Sequence, residues 1–353
     1  MSFYSRGIDF GSVLQASGAR NFHGKGYWYH WLLHVFGLNF RGSTIVTQTT
    51  TFGPRPGNMP LKNDGVTPKE WVPRCIIVNR RKQWVLNAVS LSGPGLEFCI
   101  KAGWWQRFTE PFLISVMSPQ PTHEGRQAEL EAIFHRLAVA KRDEHFHADW
   151  GIQVNLSCPN EGVDPNDLID AVVPMLEMAE KLLPDSIPLT LKFGPEAHPR
   201  SMLRIANHPR CDAICFCNTL PFGKQPKWAT RTPQVDWKAL FGTDDPKESP
   251  MAKRFPGFAG GLSGAPLKPF LIEWLEQVRG LGIQKSVIAG GGLLSPNDAR
   301  LAFDAGADAI SPGSIAMLAP TQLRPMIREA HRYAEKKKRS QFTLTSHLFA
   351  HTA

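Results

Sequence analysis

A cysteine set between two asparagines, in Asn155-Leu-Ser-Cys-Pro-Asn160, directly follows the apolar run Gly151 to Val154. Cys158 fits two readings: a small buried hydrophobe, as most free cysteines are, or an acid/base or nucleophilic thiol. The unperturbed thiol pKa of ~8.5 would need only a modest shift for the second role. Lys192 emerges near the end of another apolar run, Leu189-Thr-Leu-Lys-Phe-Gly194. A core-facing ammonium is costly unless it meets an anion, so Lys192 is expected to face a ligand. Asn218 and Thr219 end a third run and Gly290 to Gly292 a fourth.

The glycines suggest what that ligand is. Val287-Ile-Ala-Gly-Gly-Gly-Leu-Leu-Ser-Pro296 precedes a helical pattern, and Ala309-Ile-Ser-Pro-Gly-Ser-Ile315 follows it. Glycines let backbone N–H groups approach an anion, and helix starts add partial positive charge. Two such turns after successive late strands match the usual place of a phosphate site in a barrel; tight-turn geometry alone is the competing explanation. Cys215 and Cys217 alternate on an apolar strand with Cys211 nearby, and no Cys or His pair follows at zinc spacing, so core packing is expected. His123, His135, His145 and His147 read as surface residues, and no catalytic histidine is nominated.

The elements that must position these groups are short strand-like runs: Ser43 to Thr51, Trp84 to Ser90, Phe112 to Ser118, Gly151 to Ser157, Leu189 to Gly194, Ala213 to Asn218, Ser286 to Gly290 and Ala309 to Ser311. Helical patterns lie between many of them, including Arg126 to Asp143, Leu168 to Leu183 and Pro296 to Ala305. Asp164 before Pro165 and Ser295 before Pro296 are helix starts with an N-cap and a first-turn proline. Alternation means a parallel sheet. About eight strands with chemistry at their C-terminal ends favour a single-domain α/β (β/α)8 TIM barrel over residues 1–353, with one shared mouth. Thr51 to Lys82 and Leu220 to Gly264 lack periodicity and read as long irregular insertions over that mouth, lids or disordered segments.

The 353 residues, 42% hydrophobic and 20% charged, can bury a full core. No apolar stretch approaches the ~20 residues of a spanning helix, and the N-terminus lacks a signal-peptide pattern, so a cytoplasmic protein with six free thiols is expected. The net charge of +9 reads as dispersed except for Lys336 to Arg339, taken as a solvated helix end.

Set side by side, these strings resemble the FMN-dependent dihydroorotate dehydrogenases, from Ala16-Ser-Gly18 to Pro312-Gly-Ser314. They include Thr49-Thr-Thr-Phe-Gly-Pro-Arg-Pro-Gly-Asn58, Asn155 to Asn160, Lys192, Asn218-Thr219 and Gly260-Gly-Leu-Ser-Gly264. The resemblance implies a barrel that binds FMN and oxidises dihydroorotate to orotate in pyrimidine biosynthesis. Cys158 aligns with the family's base, in the cysteine version of the soluble class. Asn87, Asn155, Asn160, Asn218 and Thr219 align with substrate-binding positions. Flavin contacts fall near Ser17, Thr49, Asn155, Lys192, Gly264, Gly291, Gly292, Gly313 and Ser314. Lys192 would stabilise negative charge on reduced flavin, and no metal is implied.

The sequence also departs from the family. The soluble class has lysine where Gln48 stands in Thr47-Gln48-Thr49, with Arg20 the nearest substitute for the missing cation. The family's Asn-Ser-Met-Gly-Leu-Pro-Asn appears as Asn87-Ala-Val-Ser-Leu-Ser-Gly93. Leu220 to Gly264, carrying Lys224, Lys227 and Arg231, would cap the mouth or contact a partner. The alternatives are an FMN oxidoreductase of the same fold acting on another dihydropyrimidine or cyclic substrate, and a non-catalytic flavin-binding barrel. Expected partners are a small-molecule substrate, a homodimer mate and an electron-transfer subunit, with no nucleic acid and no integral membrane segment. Nothing before Ala16 is long enough for the helical quinone-site domain of the membrane-associated class.

Overall fold

The computed structural model describes residues 1–156, 172–216 and 218–350, with side chains through 337. Two strands, β1 (Tyr4–Ser5) and β2 (Ile8–Asp9), open the chain as a hairpin. Then come β3 (Ile45–Val46), β4 (Ile76–Asn79), β5 (Trp84–Asn87), β6 (Phe112–Val116), β7 (Trp150–Asn155) and β8 (Leu189–Phe193). The series ends with β9 (Ala213–Phe216), β10 (Leu220–Pro221), β11 (Gly261–Gly264), β12 (Ser286–Ala289) and β13 (Ala309–Ile310).

Seven of these form one parallel sheet in the order β13-β12-β9-β8-β7-β6-β3. Its two edges are joined by Ser12 to Gln15. Leu14 N donates to Ile310 O at 2.8 Å and Gln15 N to Thr44 O at 2.9 Å, while Thr44 N returns a bond to Val13 O at 2.8 Å. Val13 and Leu14 are therefore the first stave, parallel to both neighbours, and the (β/α)8 barrel closes. The alternating strands and helices support this architecture, with one correction. Trp84 to Ser90 is not a stave, and the missing stave is Val13–Leu14. A two-residue stave has too little periodicity to be seen in sequence.

Alternation sorts the barrel side chains into two cores. Leu14, Val46, Leu113, Ala213, Cys215, Ile288 and Ala309 fill the interior with Phe3, Ile8 and Phe10 of the N-terminal hairpin. Phe3 and Phe10 stack with centroids 5.0 Å apart. Arg6, at φ 48 in the hairpin turn, fixes the plug by donating from Nε to Asp212 at 2.9 Å. Outward residues meet the helices, as where Phe216 stacks 4.3 Å from Trp274 on helix Lys268–Gly280.

The helices expected around Arg126 to Asp143 and Pro296 to Ala305 are present as His123–Asp143 and Pro296–Asp304. The Ser295 side chain caps the latter by accepting from the Asp298 N–H. The helix expected from Leu168 is described from Val172 to Leu182, while Asp164 and Pro165 lie outside the described residues. The C-terminal helix runs from Pro320 to Ala350, so Lys336 to Arg339 are interior to it rather than at its end.

The two irregular segments are ordered where described. They contribute β4, β10 and β11, which join β5 in a four-stranded antiparallel sheet, β10-β11-β5-β4, that roofs the barrel mouth. Asn87 pairs with both Gly261 and Ile76 in this sheet. Trp84 to Asn87 reads as a stave because the same apolar pattern suits either a barrel or a roof strand. The Leu220 to Gly264 lobe is pinned by Glu273, whose buried carboxylate accepts from the backbone N–H groups of Thr230, Arg231 and Thr232 at 2.8, 3.1 and 2.7 Å.

Candidate active site

The C-terminal ends of the staves and the roof sheet enclose a pocket of about 830 Å³. Ser17, Thr49, Asn87, Asn155, Lys192, Asn218, Thr219, Gly291, Gly292, Gly313 and Ser314 all line it. Gly264 does not line it, although its neighbour Ser263 does. Its carbonyl lies under Gly292, where an added Cβ would come within 2.7 Å of it. Cys158, Asn160 and Cys217 lie outside the described residues.

One wall is polar and made by adjacent staves. Asn155 and Lys192 are register partners across β7 and β8. Lys192 Nζ donates to Asn218 Oδ1 at 3.3 Å, and Asn218 Nδ2 donates to Asn155 Oδ1 at 3.3 Å. This chain orients each amide and holds a cation that is only 7% exposed. An ammonium at such depth favours a ligand on which negative charge rests or develops. Cys215, opposite Lys192, points into the barrel core instead. Burial pushes its thiol up to about 11, against a smaller lowering by Lys192. Cys211 is likewise buried, its thiol pushed up to about 12 by desolvation.

A bulge shapes the second wall. Val46 faces Leu113 on β6, yet Thr50 faces Val116 in an isolated bridge, so the chain continuing from β3 carries one residue more than β6 between these points. The Thr47 hydroxyl accepts from Ser115 N at 3.0 Å, filling the gap in the ladder. Gln48 and Thr49, in the bulge, line the pocket. Thr49 Oγ1 meets Ser17 Oγ at 2.8 Å and Ser115 Oγ at 2.9 Å, and Ser17 Oγ donates to Thr47 O at 2.9 Å.

The third wall is backbone. Gly291 and Gly292 have φ of 109° and 76°, and a Cβ on Gly292 would lie 2.7 Å from both Gly264 O and Lys268 N. A Cβ on Gly313 would come within 2.8 Å of the Ala16 Cβ. Positive φ at Gly291 and Gly292, close backbone approach at Gly292 and close packing at Gly313 account for these glycines, and the resulting cradle suits a phosphate-bearing cofactor. The glycine cradle, the hydroxyl pair and the buried lysine together fit FMN.

Several lining groups were not nominated from sequence. Ser90 and Leu91 are consecutive non-glycine residues at φ 59° and 55°, and both line the pocket. Strain of this kind persists where a site uses it. Altered family spelling at Ala88 to Gly93 pointed to this turn without revealing its conformation. Tyr27, Trp28, Leu32, Leu33, Trp71 and Val72 make an apolar outer wall. Arg20 is absent from the lining, and its guanidinium instead lies 5.6 Å from the Phe40 ring centroid, so it does not replace the cation lost at Gln48. His123, His135, His145 and His147 are exposed, as expected.

Fold and pocket define a (β/α)8 barrel with a glycine-cradled ligand site at its C-terminal mouth. No protein-family model matches the chain. The chain is 26% identical over 327 residues to the catalytic subunit of dihydroorotate dehydrogenase B (NAD(+)) from Bacillus cereus, across 90% of this chain and 86% of the relative. The Bacillus anthracis and Bacillus thuringiensis subsp. konkukian proteins of that name match equally. Its fold resembles a crystal structure of DHODH from Eimeria tenella in complex with ferulenol, with TM-score 0.64 and 17% identity over 96% of this chain and 85% of that one. The chain is thus similar in sequence to these dihydroorotate dehydrogenase B catalytic subunits, and in fold to the Eimeria tenella enzyme. Among the described residues, no helix is long and apolar enough to cross a membrane.

Proposed function

We propose that the protein is an FMN-dependent oxidoreductase that converts dihydroorotate to orotate in pyrimidine biosynthesis, as a cytoplasmic single-domain barrel. The observation that carries this reading is the Lys192–Asn218–Asn155 hydrogen-bonded wall facing the Gly291–Gly292 cradle across one pocket. Names of relatives support the substrate, and the structure supplies groups of the chemistry it needs.

FMN would be held by Ser17, Thr49, Gly291, Gly292, Gly313 and Ser314, and when bound it supplies the hydride acceptor. Lys192 would balance the negative charge that reduction leaves on that ligand. Asn87, Asn155 and Asn218, with Thr219, suit a flat ring of alternating carbonyls and N–H groups, because each amide both donates and accepts. Asn160 is assigned the same work by resemblance. The strained Ser90–Leu91 turn, which lines the pocket as the neutral Gln48 does, is assigned to the substrate carboxylate. Cys158 is assigned as the base that removes the proton from C5. The designation of the relatives as a catalytic subunit supports an electron-transfer partner subunit as the onward route.

Anaerobic titration of the purified protein with dihydroorotate, followed by flavin absorbance, tests the reading. Bleaching at stoichiometric substrate is expected. A yellow protein bleached by dithionite but not by dihydroorotate would transfer the activity to another reduced cyclic substrate. Cys158→Ala should retain the yellow colour and slow reduction by about 100-fold or more; an unchanged rate would remove Cys158 from the mechanism.

A further inference from the structure

The outer rim of the pocket opens on an aromatic surface that the proposed reaction does not use. Helix Trp28–His34 and the loop at Trp71 are joined there, with the Trp28 and Trp71 rings 4.7 Å apart and Trp28 Nε1 donating to Trp71 O at 3.0 Å. Around that contact the side chains point into solvent: Trp31 is 80% exposed, Val35 79%, Val72 77%, Trp71 73% and Phe36 64%. Exposed apolar groups scattered singly need no account, but a contiguous cluster marks an interaction surface.

Charge indicates the occupant. Residues 20–82, which supply the helix, the loop and much of the pocket rim, contain ten Lys and Arg against two Asp and Glu. This surplus of eight compares with nine for the whole chain, so the positive charge is concentrated here rather than dispersed. Lys25 and Arg41 bracket the aromatic helix and Lys69 and Arg74 bracket the loop, all exposed, although Arg74 is paired with Glu70 at 2.8 Å. Protein-binding patches share the aromatic and arginine enrichment but are commonly depleted in lysine, and Lys25 and Lys69 both flank this one. Aromatic and aliphatic tips ringed by basic residues match a surface that dips its apolar groups into an anionic bilayer interface.

We infer that this face docks peripherally on anionic lipid membranes, with Trp31, Val35, Phe36, Trp71 and Val72 entering the interfacial layer and the flanking cations contacting headgroups. Trp28, Leu32, Trp71 and Val72 also line the pocket, so its mouth opens toward the bilayer in the docked state. The inference does not depend on the identity of the substrate.

The test is co-sedimentation of the full-length protein with vesicles of phosphatidylcholine alone, or of phosphatidylcholine and phosphatidylglycerol in equal parts. Stronger binding to the mixed vesicles, weakened by added salt, is expected. The double variant Trp31→Ser/Val35→Ser should lower the partition coefficient by about tenfold or more. Neither residue lines the pocket, so bleaching by dihydroorotate should be unchanged and the circular dichroism spectrum should match the parent. Absence of vesicle binding, or equal binding by the double variant, overturns the inference. So does a lipid-free dimer that dissociates only in the double variant, which would assign the face to a second copy. Capture of the face by an electron-transfer subunit, with no vesicle binding in its presence, would overturn it in favour of a protein partner.

Discussion

The Tyr27 hydroxyl donates to Gln48 Oε1 at 2.9 Å and stands 3.0 Å from Gly18 O, so one phenol ties the β3 bulge to the loop after the first stave. Gln48 Nε2 reaches Ser92 O at 3.3 Å. The glutamine is thus a three-way joint between the N-terminal loop, the bulge and the strained turn. Its substitution for lysine changes more than charge.

Gln48→Lys should keep the fold, since an ammonium can donate to the Ser92 carbonyl and to the Tyr27 oxygen. It also places a cation beside the turn assigned to the carboxylate. Orotate binding should tighten by about tenfold, the effect of ~1.4 kcal/mol, as measured by titrating the flavin spectrum. Weaker binding would mean that the pocket is built around a ligand without that carboxylate. Tyr27→Phe tests the joint itself and should lower unfolding stability by about 1 kcal/mol in a denaturant melt.

Lys192→Met preserves most of the buried stem while removing the charge and the bond to Asn218. The variant should fold and slow flavin reduction by dihydroorotate by about 100-fold or more, read by anaerobic stopped-flow absorbance. An unaffected rate would leave Lys192 as a structural partner of Asn218 alone.

The legible parts of this molecule were those whose chemistry is local. Lys192, Asn218, the paired glycine turns and the Ser295 cap each violate or satisfy a rule within a few residues, and each takes the expected place in the fold. Val13–Leu14 was illegible because a two-residue stave is defined by its neighbours' hydrogen bonds rather than by periodicity. Trp84 to Asn87 misled because an apolar strand buried under a roof reads like one in a barrel. The bulge and the Ser90–Leu91 strain are backbone properties with no fixed residue signature. The charge concentration over 20–82 was countable, but only the fold shows that the segment frames the mouth.

Gly292→Ala should lose the cofactor. At φ 76° an alanine is strained, and its Cβ would meet Gly264 O and Lys268 N, both backbone atoms that cannot swing aside. The purified variant should be colourless or release FMN readily on gel filtration. Tight retention of the flavin would show that the cradle has slack and that the phosphate is held elsewhere. Gly282→Ala is a control: its φ of 78° imposes similar backbone strain, but an added Cβ would meet nothing within 4 Å. It should lose stability without losing colour.

Two buried groups set separate acid limits. Burial, reinforced by Arg20, lowers the His30 pKa to about 4 from its usual 6.5. Because the unfolded chain takes up that proton first, stability should be constant above the usual value and fall as pH drops from about 6.5 toward 4. Glu273 acts lower. Burial alone would raise its pKa, but the bonds from Thr232, Thr230 and Arg231 outweigh it and hold the carboxyl at about 2. Its contribution is present above about 4.5 and lost as pH falls from there toward 2. Chemical denaturation measured across pH should show both windows. His30→Gln should flatten the upper one, and Glu273→Gln the lower one. The second variant also leaves the three N–H groups of Thr230 to Thr232 with a weaker acceptor, so it should cost ~1–3 kcal/mol at neutral pH. Protease cleavage should then rise first within Leu220 to Gly264, the lobe that this carboxylate pins to helix Lys268–Gly280. Cleavage appearing elsewhere first would mean that the lobe is held mainly by its aromatic contacts, such as Phe222 against Trp237 at 4.7 Å.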